Sequence, residues 1–507
     1  MKESTRVIKN TAFLYLNMLV TMSVQLIAVR LLYQGLGVVD YGLYNLVAGL
    51  IALFSFMNVA MAAATQRFLS YENGHDNAAL LKETFYQSVV LHTGIGLVVL
   101  LLLPIGGGYY ITHFIHAPAD RLLPACLLLV AISCSTFVNI ITVPYEAVMN
   151  AHEDLGVVAL LNICDSLLKL FTALYVCYWA SGDRLITFGV LTMASLILIL
   201  VLKRLYALRH YPEAHFRWHR VAWNDLRPMA SFGAWNFIGA GCSIGRYQGT
   251  ALILNYFFGI VINAAYGIAQ QVNGLLLFLA NTIVRAIRPQ IVKSEGAGNR
   301  QRMLRLSETT CRVTALMVAL IAIPFFIEME YVLRLWLGKM PSAACIMFCR
   351  AFIVIVFINQ LTIGLQVAVE SEGHIRKMQL IVGSMHILAL PVSYLFYCAG
   401  YPVMTIMWCI IAEEIIALLV RTRIAQKQTG LRALRFLYRG ALIPACVCTV
   451  VLSVMYCLAN TLPSSFLRVT MTSFISVMLI CALSYAFALT QDEKRVITDL
   501  IHKLWRR

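Results

Sequence analysis

The segment from 155 to 180 is apolar enough to sit in lipid, yet it carries Asn162, Asp165, Ser166, Lys169 and Thr172. Their spacing places all five on one face of a helix. A charged side chain at the centre of a bilayer costs about 2.5–3.5 kcal/mol even on the lenient insertion scale. Such a face must look at protein or at a water-filled cavity. Two chemistries fit an Asp–Lys pair four residues apart. It can neutralise itself and hold helices together, or it can present Lys169 to an anionic ligand while Asp165 holds the amine in place. The sequence leaves both open.

Other apolar segments carry similar stripes. Asn17, Thr21 and Gln25 share a face that ends at Arg30, which either snorkels to the outer interface or faces a cavity. Trp235, Asn236, Arg246 and Gln248 lie on one segment, and Gln270, Gln271, Asn273 and Asn281 on the next. Arg246 lies deeper than Arg30, which favours a cavity position. Arginine suits phosphate by paired hydrogen bonds and lysine by point charge. Candidate ligand contacts are therefore Arg30, Lys169, Arg246, Asn17, Gln25, Asp165 and Gln270. Glu413 and Glu414 fall near mid-depth of a later segment; with Asp165 they are the candidates for coupling to Na⁺ or H⁺. His92 and His386 are expected to be packed, hydrogen-bonded histidines. Arg67, Arg285 and Arg288 are expected to serve topology and lipid headgroups. No catalytic constellation is present. The 14 cysteines lie mostly in apolar segments without paired CxxC motifs, so they are expected to be small buried hydrophobes rather than metal ligands. No cofactor is implied.

These stripes need helices long enough to cross a membrane. Of the 507 residues, 60% are hydrophobic and 13% charged, with a mean hydropathy of +0.78; soluble domains have about 45–50% and 25%. Fourteen segments reach the length of about 20 residues that a spanning helix needs. They lie near 11–33, 42–63, 85–110, 122–145, 155–180, 185–203, 229–255, 263–287, 310–330, 346–369, 379–398, 402–420, 440–460 and 468–490. With the N-terminus in the cytoplasm, thirty of the 40 Lys and Arg residues fall on the inner side and only Arg121, Arg184, Arg334, Lys339 and Arg468 on the outer. That asymmetry is the positive-inside rule, so both termini are expected in the cytoplasm. The net charge of +16 is then a topology signal and not a nucleic-acid footprint. The leading MKESTRVIKN reads as the basic flank of an uncleaved anchor.

The two halves repeat. YGLYNLVAGL (41–50) aligns with YGIAQQVNGL (266–275), the element at 67–84 with that at 288–309, and AVMNAHED (147–154) with QVAVESEG (366–373). The offsets drift from 225 through 223 to 219. The expected fold is an all-α polytopic membrane protein of about fourteen helices. It divides into a lobe at 1–203, a cytoplasmic connector at 204–228, a second lobe at 229–422, and two further helices with a tail at 423–507. The two six-helix lobes are pseudo-symmetric and run in the same sense. Outer loops are short, which leaves no room for an extracytoplasmic enzyme domain.

The runs VARLLYQGLGVVDYGLYNLV (28–47), QRFLSYENG (66–74) and VPYEAVMNAHED (143–154) resemble the Wzx-type polysaccharide flippases. Those belong to the superfamily that also holds the multidrug and toxin extrusion (MATE) transporters and the lipid II flippase. The resemblance implies a bacterial inner-membrane protein, expected to be monomeric, with two lobes around a central cavity open alternately to each side. Its cargo would be an undecaprenyl-diphosphate-linked oligosaccharide, moved to the periplasmic leaflet for O-antigen or lipopolysaccharide assembly. A diphosphate cannot cross hydrocarbon unaided, so the cations at Arg30, Lys169 and Arg246 suit it. The alternative on the same fold is an ion-coupled drug or metabolite exporter, for which cavity carboxylates are expected to dominate. Neither is an enzyme, and neither has a nucleic-acid partner.

Overall fold

A computed structural model describes residues 2–75, 77–114, 119–215, 219–337, 340–460, 465–491 and 493–495. Lys339 and most of the expected C-terminal tail lie outside the described residues. Among the described residues the chain is helical without a strand. In order the helices are α1 (Lys2–Gly74), α2 (Ala78–Phe114), α3 (Ala119–Ala151), α4 (Leu155–Tyr178) and α5 (Arg184–His210). They continue with α6 (Trp223–Gly296), α7 (Arg300–Ile327), α8 (Met329–Leu337), α9 (Ala343–Gln360) and α10 (Ile363–Glu372). The last are α11 (Arg376–Cys398), α12 (Thr405–Thr429), α13 (Ala433–Phe436), α14 (Ile443–Asn460) and α15 (Phe466–Leu483).

Eleven of the described helices are long and apolar enough to cross a membrane, against fourteen expected segments. α1 and α6, of 73 and 74 residues, each run through two of those segments. α12 carries Glu413, Glu414 and Arg421 in its apolar stretch. The expected 346–369 segment is interrupted between α9 and α10 at Leu361 and Thr362.

The repeat seen in the sequence has a backbone counterpart. α1 is kinked at Gly37 (φ 75, ψ 177) and α6 at Gly259 (φ 77, ψ −178), 222 positions apart. That conformation is open essentially to glycine alone. Near the first kink Arg184 donates to the carbonyl of Gly35 at 2.8 Å. Arg121 pairs there with Asp40 at 2.9 Å and with Asp183 at 2.6 Å. Asp183 also caps α5, accepting from the amides of Leu185 and Ile186. Two of the outer-side arginines therefore brace the kink.

The chain divides into two compact units, residues 7–237 with 296–298 and residues 1–6 with 238–295 and 299–507. In the first, α2 packs along α3 and α3 along α5. One core holds Leu32, Val99, Leu128, Leu129 and Ala173; another holds Leu69, Phe85, Tyr145, Met149 and Ala207. In the second, Leu254, Tyr266, Phe348, Phe352, Ile406 and Met407 form the largest cluster. α14 and α15 dock on α7 through Leu316, Ile323, Val451, Met455 and Ile480. Outside these cores large apolar side chains stand exposed, among them Leu101, Ile105, Leu160, Leu252, Val261 and Phe474. In water such patches would be a liability; against lipid tails they are the required surface.

Candidate functional site

In α4 the Lys169 amine donates to Asp165 Oδ2 at 2.7 Å, as expected for an i, i+4 pair on one helix face. The lysine side chain is 51% exposed and the aspartate 20%. Ser166 and Thr172 on the same face are buried, and Ser166 donates to the Asn162 carbonyl at 2.9 Å. Asp165 Oδ1 is buried with no hydrogen-bond partner. The stripe therefore buries its hydroxyls, half-buries its carboxylate and exposes its ammonium. On α1, Gln25 and Arg30 are exposed. Asn17 is half-buried, its carbonyl accepting from Thr21 at 2.8 Å.

The second unit holds a buried charge cluster. Arg246 Nη1, from α6, donates to Glu413 Oε2 at 2.6 Å and to Glu414 Oε1 at 2.9 Å. Adjacent residues on a helix diverge by about 100°, and a single guanidinium nonetheless closes both carboxylates. Arg421, two turns further along α12, donates to Glu414 Oε2 at 3.2 Å and to the Thr362 hydroxyl at 3.3 Å. His386 Nδ1, from α11, lies 3.0 Å from Glu413 Oε1. Thr362 sits at the break between α9 and α10, so the cluster ties that break to α12. Arg246, Glu413, Glu414 and Arg421 are at most 7% exposed. Two carboxylates face two guanidiniums, so the cluster balances with His386 neutral. Balance is needed, because an uncompensated buried charge costs several kcal/mol.

His386, Glu413 and Glu414 bring three ligand atoms within 4.8 Å of one another, the spacing of a metal site. Three of the four carboxylate oxygens already accept from arginine. Both Glu414 oxygens are held by guanidiniums, so a cation using all three groups would compete with them, and this donor set fits an ion-pair network better than a metal.

Arg246, Glu413 and Glu414 come together, and Gln270 lies beside them, donating to the Tyr247 carbonyl at 3.4 Å. Arg30, Asn17, Gln25, Asp165 and Lys169 belong to the other unit. The sequence reading missed Arg421, counted there only as an inner-side cation. Its spacing of seven from Glu414 puts both on one helix face, and that was the available signal. His386, expected to be merely packed, is a member of the cluster.

No family model matches the sequence, and neither does any curated protein. Solved structures do match. An outward-facing multidrug resistance MATE family transporter of the MOP superfamily aligns with a TM-score of 0.72 at 12% identity, over 84% of this chain and 96% of its own. A MATE in its bent conformation gives 0.72 at 13%, over 85% and 98%. A MOP superfamily transporter from Pyrococcus furiosus, described as having a binding pocket of reverse polarity, gives 0.67 at 13%, over 84% and 96%. At that identity the likeness speaks for the fold alone. Kinked at matching glycines and all-helical, this chain has the fold of the MATE transporters.

Proposed function

We propose that this protein flips an undecaprenyl-diphosphate-linked oligosaccharide from the cytoplasmic to the periplasmic leaflet of the bacterial inner membrane, by alternating access. The observation that carries the reading is which charges the ion pairs leave exposed. The carboxylates of α12 are buried and paired with Arg246 and Arg421, whereas Lys169 keeps its ammonium half exposed on an apolar helix. Charge offered to a cargo is then positive, which suits a diphosphate. Lys169 and Arg30 are its contacts in this reading, with Asn17, Gln25 and Gln270 available to polar parts of the cargo. Arg246 is assigned to holding Glu413 and Glu414, the coupling candidates alongside Asp165 for Na⁺ or H⁺. The protein works as a monomer with both termini in the cytoplasm.

The second reading, an ion-coupled exporter of drugs or metabolites, is favoured by the fold itself, since solved proteins of this fold include multidrug transporters. A superfamily member described as having reversed pocket polarity and a different function supports reading the cargo from charge and not from fold.

Complementation of a flippase-deficient strain tests the proposal, with surface polysaccharide as readout and membrane levels checked by blotting. Wild type should restore polysaccharide. Lys169→Gln and the double variant Asp165→Asn/Lys169→Gln should both fail at normal protein levels. Transport retained in the double variant would reduce the pair to a structural bridge. Failure of wild type, together with drug resistance on expression, would select the exporter.

A further inference from the structure

The first unit contains a polar recess outside the stripes discussed above. It has a volume of about 160 Å³ and lies between α1 and α3, lined by Asn58, Gln66, Asn139, Thr142, Glu146 and Asn150 with small apolar side chains between them. Val59 at its rim is 68% exposed, so the recess is open on one side. Asn58 Oδ1, Gln66 Nε2 and Asn150 Oδ1 are buried without hydrogen-bond partners, and Asn150 is only 8% exposed. Buried polar atoms are almost always paired, so two unsatisfied acceptors and one unsatisfied donor in one recess point to a guest that supplies both functions.

The charge of the recess narrows the guest. Its one carboxylate, Glu146, accepts from Lys203 at 2.7 Å, and Lys203 is itself buried. Cation and anion cancel, which leaves no net charge for an ionic ligand. What remains is carboxamide, able both to donate and to accept, and the Thr142 oxygen, whose proton goes to the Val138 carbonyl at 2.6 Å. The space exceeds the ~10–15 Å³ a single water needs but falls short of the ~300–1,000 Å³ of pockets for drug-sized molecules. A neutral polyhydroxy ring matches the size, the neutrality and the alternation of donors and acceptors. The side chains of Val59, Ala62, Val143 and Ala147 offer its C–H faces apolar contact. We propose that this recess is a sugar-binding subsite that seats one ring of the glycan. The assignment to cargo glycan rests on the flippase reading; the assignment to a sugar rests on the recess alone.

The test uses the full chain purified in detergent, with Val59→Cys as a reporter at the rim and its maleimide labelling followed by mass spectrometry at that position. Free glucose or N-acetylglucosamine, raised until the site is at least half filled, should slow labelling about twofold or more. Equimolar betaine should not. Adding Asn150→Leu or Asn139→Leu should abolish the protection; Asn139 is exposed, so its variant should fold even where the buried change does not. Protection that is absent, equal with betaine, or unaltered in both variants overturns the assignment and leaves a water-filled recess. Thermal stabilisation by undecaprenyl diphosphate without sugar, measured on the same preparations, separates the two readings. Stabilisation without hexose protection removes only the sugar subsite. Hexose protection without stabilisation keeps the subsite and removes the lipid-linked cargo.

Discussion

Lys169 and Arg246 are both basic residues in apolar helices, but their surroundings demand opposite responses to mutation. Lys169 is half exposed and bridges only within its own helix, and an exposed pair of that kind is worth about 0.2–1 kcal/mol. Lys169→Gln should therefore leave the thermal unfolding midpoint in detergent almost unchanged while abolishing transport. A large fall in the midpoint would instead make the bridge structural. Arg246 is buried against two carboxylates, and removing one partner of a buried pair costs about 3–5 kcal/mol. Arg246→Met should lower the midpoint sharply. Adding Glu413→Leu leaves Glu414 paired with Arg421 and should recover part of the loss; a double variant no better than the single would show that the two groups are not coupled. A third carboxylate allows a pH test outside the apolar spans. Burial pushes the Glu493 carboxyl up, and the Arg312 guanidinium with hydrogen bonds from Arg312, Thr490 and Thr309 outweighs it, so its pKa lies below the ordinary 4.5. A depressed carboxylate contributes stability above the unfolded pKa, and that contribution disappears as pH falls through the folded value. Wild type should exceed Glu493→Gln in stability at neutral pH, with the gap closing only below about 4.5. A gap that widens on acidification would refute this linkage.

The two glycine kinks are a property of whole helices. Nothing lies within 4 Å of where a Cβ would stand at Gly37 or Gly259, so alanine there meets no clash. Its penalty is purely conformational, about 1–3 kcal/mol for a side chain forced into that backbone region. Gly364 in α10 is different: a Cβ would come within 2.1 Å of the Ser307 carbonyl of α7. Backbone cannot rotate away as a side chain can, so the two helices would have to separate. Gly364→Ala should lower stability more than Gly259→Ala, as judged by thermal unfolding in detergent. The reverse order would mean that α7 and α10 part easily and that the kink is the more constrained feature.

Topology concerns the molecule as a whole. In a background free of native cysteines, thiols at Gly182 and Ser342 should label from outside and those at Asn299 and Gln428 only from inside. A reversed pattern at one position would place an error in the span assignment before it. The positive-inside count supplies the orientation here.

Sequence alone determined the fold class, since only helices satisfy their own backbone groups in lipid and long apolar segments therefore name their structure. It also showed short motifs recurring between the two halves. The Asp165–Lys169 contact was legible as well, four residues apart on one helix. Tertiary structure decided the rest. That Arg246 meets Glu413 and Glu414, 167 and 168 positions away, follows from packing of α6 against α12, which no local spacing encodes. Arg421 looked like a surface cation because its helix end was read from charge, and only the packed unit shows it buried. The recess between α1 and α3 was invisible for the same reason: carboxamides spread from 58 to 150 carry no periodic signal, and a cavity exists only once the helices around it are in place.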